Sequence, residues 1–121
     1  VKTVYLSLTD LLSLSFDLGV GPIGDLGLLD SAAHRPGASF YGREAYPSVH
    51  LKAAVLLESI VRNHPLVDGN KRLGWLATVV FLGLNGIDLD APDDSAYELV
   101  MAMAEGQISP DVAADLLREW S

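Results

Sequence analysis

The chain has 121 residues, half of them hydrophobic and one in five charged, with a formal net charge of -8 and no cysteine. That is enough apolar material for one core, and without a low-complexity tract or a repeat of solenoid period it argues against disorder and repeat architectures. The acid excess, with no compensating Lys/Arg cluster, disfavours direct binding to nucleic acid. The absence of cysteine rules out a disulfide framework or thiolate zinc site, and no apolar run nears the roughly 18 residues needed to span a bilayer.

The first expected element is a helix from about Ser7 to Leu18, opened by a capping box between Ser7 and Asp10 and carrying Leu8, Leu11, Leu12 and Phe16 as its apolar stripe. Three glycines and Pro22 between Gly19 and Gly24 turn the chain, and Asp25 caps a short second helix through Ala33 that Pro36 ends. From Pro36 to Tyr46 the composition is rich in Gly, Ser and Tyr without helical period, which predicts an exposed loop or short hairpin. Pro47 suits a first helical position, and Val49, Ala53, Leu56 and Ile60 recur at helical spacing as far as Asn63, where Pro65 and Gly69 intervene. A helix over Asn70 to Asn85 is apolar nearly all round and is expected to be the central, buried one. Gly86 ends it, a helix over Pro92 to Glu105 follows, and Ser109 with Pro110 opens a last helix reaching Trp120. The fold class is therefore all-α, a bundle of about six helices with one irregular or hairpin flap, in a single domain spanning 1–121.

The chemistry is concentrated in His64-Pro65-Leu66-Val67-Asp68-Gly69-Asn70-Lys71-Arg72, immediately before that long helix. Free backbone N–H groups and the positive end of a macrodipole favour an anion such as a nucleotide phosphate at a helix start. Gly69 lets the backbone approach closely, while Lys71 and Arg72 supply a point charge and a fork for a transferring phosphoryl group. Asp68 is a hard oxygen ligand suited to Mg²⁺ held against phosphate oxygens. Imidazoles ordinarily titrate at about pH 6.5, so His64 is suited to take a proton from an attacking hydroxyl.

The same nine residues resemble the Fic/Doc signature: histidine, any residue, phenylalanine, any residue, an acid, glycine or alanine, asparagine, glycine or lysine, arginine. Every fixed position matches except that Leu66 replaces phenylalanine at a core position. The resemblance extends over nearly the whole chain, through Leu26 to Ala32, His34-Arg35-Pro36, Phe81-Leu82, Asn85-Gly86 and Ala104-Glu105-Gly106, and is closest to the Doc, or death-on-curing, toxins. Adenylylating Fic enzymes usually carry glycine where this chain has Lys71, and a second arginine where it has Trp75. The Doc resemblance thus implies a reversed ATP orientation, with the γ-phosphoryl group and not AMP transferred to a Ser/Thr hydroxyl. Elongation factor Tu is the expected target and translation arrest the outcome, with ATP and Mg²⁺ required and a cytoplasmic location. By the same resemblance His64 is the base and Asp68 the metal ligand. Gly69, Asn70, Lys71, Arg72 and Arg62 bind the nucleotide, and the flap, with Ser39, Phe40, Tyr41, Gly42 and Tyr46, docks target or antitoxin. Gly24 stands where many relatives have arginine.

Taken singly, these residues have plainer readings. Asp68 or Asn70 could cap the long helix, Lys71 could be solvated, and Glu58 lies four residues before Arg62, where an ordinary ion pair explains that arginine equally well. His34 and His50 lack partners at metal spacing, and Trp75, Phe81 and Trp120 fit a core. Two rivals remain beside the kinase: a protein adenylyltransferase, and a Fic-fold binding module without catalysis. The self-inhibitory motif of the family needs Ser or Thr four residues before its glutamate, and Met101 stands there, so a separate antitoxin of the Phd type is expected to restrain the chain.

Overall fold

The computed structural model describes residues 2–121. Among them are six helices: α1 (Leu8–Leu18), α2 (Leu26–His34), α3 (Val49–Asn63), α4 (Asn70–Leu84), α5 (Asp93–Ala104) and α6 (Pro110–Glu119). A two-stranded antiparallel hairpin, β1 (Ser39–Phe40) and β2 (Arg43–Glu44), lies between α2 and α3. The expected helical bundle with a short flap forms, and no helix among the described residues is long and apolar enough to cross a membrane.

The helix starts follow from local hydrogen bonding. Ser7 Oγ accepts from Asp10 N at 3.1 Å while Ser7 N donates to Asp10 Oδ2 at 2.8 Å, completing the capping box of α1. Asp25 Oδ1 accepts from Leu28 N at 3.0 Å at the head of α2, and Ser109 Oγ accepts from Val112 N at 3.3 Å at the head of α6. At α3 the cap is Ser48, whose Oγ accepts from Leu51 N at 3.1 Å. Pro47 is thus not the first helical residue; the serine hydroxyl satisfies an orphan N–H and starts the helix after itself. Beyond α2, Pro36 does not stop the chain from coiling but sits in a short 3-10 turn over Arg35–Gly37. Phe16, expected in the core stripe of α1, is 85% exposed; that helix buries Leu11 and Ser15 instead.

The central helix is α3, not α4. Every residue from 52 to 57 is buried, and α3 packs against α2, α4, α5 and α6. Ala53 and Ala54, both fully buried, lend it a slim waist that neighbours can approach closely. On α4 only one face is fully enclosed, by Leu73, Ala77, Phe81 and Leu82. Trp75, Leu76 and Val79 are only half-buried because they line an open groove with Leu18, Tyr97 and Met101. Apolar content all round a helix thus marks two different things here: enclosure for α3 and a groove wall for α4.

α3 and α4 cross closely at Gly74, where an added Cβ would lie 2.7 Å from Val61 Cγ1 and 3.1 Å from Leu57 Cδ1. Gly83, on the same helix, would meet nothing within 4 Å. Opposite signs are therefore expected from one substitution. Gly83→Ala should gain about 0.5–1 kcal/mol through helix propensity, whereas Gly74→Ala should lose about 1–3 kcal/mol by overpacking the crossing. Urea unfolding of the two variants checks this, and equal shifts would contradict the packing argument.

Candidate active site

α3 does not run straight into the loop that follows it. His64 caps its C-terminus in the left-handed region, with φ 52° and ψ 59°, a conformation uncommon outside glycine that bends the chain sharply. The loop is then zipped to the segment after α1: Gly24 N and Asp25 N donate to the Pro65 carbonyl at 2.8 and 2.9 Å, Val67 N donates to Pro22 O at 2.9 Å, and Gly21 N donates to Asp68 O at 3.1 Å. Leu66, the departure from phenylalanine, is buried beneath this pairing opposite Ile23. Gly24 lies against Pro65 and Val67.

Asn70 locks the loop from the other side. Its Oδ1 accepts from Leu66 N and its Nδ2 donates to Leu66 O, both at 2.9 Å, so a buried side chain meets both polar groups of one buried peptide residue. Since the amide is engaged in this way, what Asn70 offers to an anion is its backbone N–H. Gly69 has φ 92° and packs so tightly on Val20 that any Cβ would overlap that side chain; only glycine meets both demands.

The head of α4 lacks what ordinarily stabilises a helix start. Its N-cap is Gly69, with no side chain to receive an N–H, and its first turn holds no acid. The first intrahelical bond closes from Leu73 N to Gly69 O, leaving the amides of Asn70, Lys71 and Arg72 ahead of it. Two cations stand where the macrodipole is already positive, which destabilises a helix unless an anion joins them. Lys71 and Arg72 are exposed, and among the described residues neither forms an ion pair. His64, Asp68, Gly69, Asn70, Lys71 and Arg72 all line one open cavity of ≈ 300 Å³. Lys71 and Arg72 also border the larger apolar groove of ≈ 610 Å³ along α4 and α5.

Arg62 is not brought to this cavity. Its guanidinium packs over Gly106, whose φ of 70° and missing Cβ make room for it, and it lines a separate recess with Arg35, Glu58, Ser59 and Asn63. Nor does it pair with Glu58, as its helical spacing suggested, because that carboxylate is taken by Arg35 at 2.8 Å.

In the flap, β1 and β2 pair Ser39 with Glu44 and Phe40 with Arg43, and Tyr41 and Gly42 form the turn, both at positive φ. The rings of Phe40 and Tyr41 meet edge to face at 4.5 Å and are 71% and 92% exposed. Tyr46, at the base, is held from beneath. Its hydroxyl accepts from Arg35 Nε at 3.2 Å, and Arg35 also donates to Ser59 Oγ at 3.0 Å. Burial works against the Arg35 charge, but hydrogen bonds to Tyr46 and Glu58 outweigh it, so its pKa is raised above the ordinary arginine value.

Sequence reasoning missed the zipper over 21–25, read only as a turn, and the polar support under the flap. The second left a signal: Lys52 sits between Val49 and Leu56, on the apolar stripe of α3.

With this geometry in place, the comparisons with known proteins converge. A family model described as the Fic/DOC family matches residues 5–82. The chain is also 45% identical over 120 residues to a protein named Toxin Doc from Mycolicibacterium smegmatis, an alignment covering 94% of this chain and 92% of that one.

The Asn70 clamp can be tested directly. Asn70→Ala strands a buried N–H and a buried carbonyl of Leu66, so unfolding stability should fall by about 2–4 kcal/mol. An unfolding free energy from urea titration lowered by less than about 1 kcal/mol would show that the loop does not depend on this side chain.

Proposed function

Because the chain belongs to the Fic/DOC family, we propose that it is a Doc-like toxin that transfers the γ-phosphoryl group of ATP to a Ser/Thr hydroxyl of a target protein. The observation that carries this reading is the uncapped head of α4, where free amides and two cations without an ion-pair partner among the described residues share an open cavity with His64. The arrangement is electrostatically incomplete without a polyanion and has an imidazole on its rim.

In this reading the amides of Asn70, Lys71 and Arg72 hold the phosphate chain, and the two cations neutralise charge that builds on the transferring group. Asp68 is exposed on the same cavity without an ion-pair partner among the described residues. One carboxylate beside phosphate oxygens fits Mg²⁺, which is commonly held by one or two carboxylates and substrate phosphates. Bound there, the ion would supply charge neutralisation between adjacent phosphates. An imidazole nitrogen of His64 takes the acceptor proton as the hydroxyl oxygen bonds to the γ-phosphorus and the bond to the leaving ADP breaks. Lys71 and Trp75, in place of the glycine and second arginine of adenylylating relatives, favour phosphoryl over adenylyl transfer.

Elongation factor Tu is the proposed acceptor and the cytoplasm the proposed site of action. A separate antitoxin of the Phd type is the proposed restraint, with a segment that folds against the flap. The exposed rings of Phe40 and Tyr41 support a docking role for the flap, since aromatic side chains of this exposure are typical anchors at interfaces.

With γ-labelled ATP, Mg²⁺ and a bacterial lysate, label should enter a band identified as elongation factor Tu, and α-labelled ATP should leave no label. Label only from the α position would assign adenylyl transfer instead, and label from neither would leave a binding module. His64→Ala should lower the transfer rate by at least about 10²-fold with unchanged circular dichroism. A variant that still arrests growth would remove His64 from its role as base.

A further inference from the structure

Lys52 is among the most enclosed side chains of the chain, 1% exposed within the central helix. Its Nζ donates to Glu44 Oε1 at 3.1 Å, donates to the Tyr46 carbonyl, and lies 5.9 Å from the centroid of the Tyr5 ring. Glu44 is on β2 and Tyr46 is at the base of the hairpin, so both hydrogen bonds go to the flap. Few other contacts hold it: Ala45 N donates to Ala38 O at 2.9 Å, Tyr46 rests on Arg35, and each strand has only two residues.

A hairpin this short is marginal by itself, and Tyr41 adds the strain of a left-handed residue at its turn. An ammonium is also a poor choice for stability in a core, where an apolar side chain of similar volume avoids the desolvation cost. What the ammonium adds is direction, because its N–H donors fix two particular oxygens of the flap. Lys52 and His64 belong to one rigid element, the base at the C-cap of α3 and the anchor about 18 Å up its axis at 1.5 Å per residue.

We propose that Lys52 is a positioning residue, the pin by which α3 holds the flap at a set place relative to His64, and hence holds a docked acceptor protein at the right distance from the base. The proposal rests on the flap's docking role as read above. Lys52 itself touches no reacting group. It acts through Glu44 and the Tyr46 carbonyl, so its loss affects acceptor binding and leaves the phosphate cavity at the other end of α3 untouched.

The test uses the full chain with Lys52→Met, which keeps the volume and removes the donors, and Glu44→Ala, which breaks the same pair from the flap side without touching the core. Trypsin cleavage of the Arg43–Glu44 bond, taken relative to its rate in the unfolded chain of the same variant, reads flap order, and should quicken by about tenfold or more in both variants as the hairpin opens more often. In γ-phosphoryl transfer to purified elongation factor Tu, KM for the acceptor should rise by about tenfold with kcat at saturation and Mg·ATP affinity unchanged, the split expected of lost docking alone. The double variant should be no worse than the worse single one. Unchanged cleavage and unchanged acceptor KM in Lys52→Met would overturn the proposal, as would a fall in kcat or in ATP affinity matching the loss in KM. Should Lys52→Met not fold, the same readouts on Glu44→Ala decide. A wild-type chain that transfers nothing to this acceptor would sink the functional reading instead, and flap cleavage would then decide the anchor alone.

Discussion

The start of α4 is an electrostatic deficit built into a helix that is otherwise well packed. Four of the other helix heads are completed by a side-chain cap, from Ser7, Asp25, Ser48 and Ser109, and α5, uncapped at Pro92, carries Asp93 and Asp94 in its first turn instead. The head of α4 has a glycine for a cap and two cations for a first turn. Among the described residues no acid pairs with these cations, and the deficit stays open to solvent while hydrogen bonds tie down the backbone around it. An anion-binding site needs that combination of unsatisfied donors and immobility, because donors that could relax onto each other or onto an acid would not wait for a ligand.

Immobility comes from backbone pairing more than from the motif's own side chains. The strand-like run over 21–25 takes up the carbonyls of Pro65 and Asp68 and the amide of Val67, and Asn70 closes on Leu66. Gly69 and Gly74 then remove Cβ atoms where α4 must pass Val20 and Val61. The two glycines do different things: Gly69 permits both a positive φ and a close approach, Gly74 only the approach. Within the signature segment the labour is thus divided, with Leu66, Gly69 and the Asn70 side chain shaping the loop and His64, Asp68, Lys71 and Arg72 facing the cavity.

The flap follows the opposite logic. Its tip is strained, short and exposed, and its base is tied by two buried or half-buried cations, Arg35 and Lys52, that bond the hydroxyl and the carbonyl of Tyr46. Arg35 is partnered by Glu58 and Ser59 of α3, so both ties lead back to the same helix. Since α3 also ends at His64, the central helix carries both the ties of the flap and the imidazole at the cavity.

The sequence by itself determined the fold class, the helix limits to within a residue or two, and the loop in which the chemistry lies. These are local properties: apolar spacing, serine and aspartate caps, and glycine breaks act within one turn of chain. Family membership was legible for the same reason, since nine adjacent residues carry the signature. Tertiary structure decided what depends on partners far along the chain. It made α3 the central helix, because the apolar surface of α4 is shared between core and groove and spacing cannot say which. It gave Glu58 to Arg35, 23 residues away, in place of Arg62 on the next turn, and it set Lys52 beneath the flap. Helical spacing says only which neighbours are possible, whereas a buried charge takes whichever partner the packing of separate segments brings within hydrogen-bonding distance.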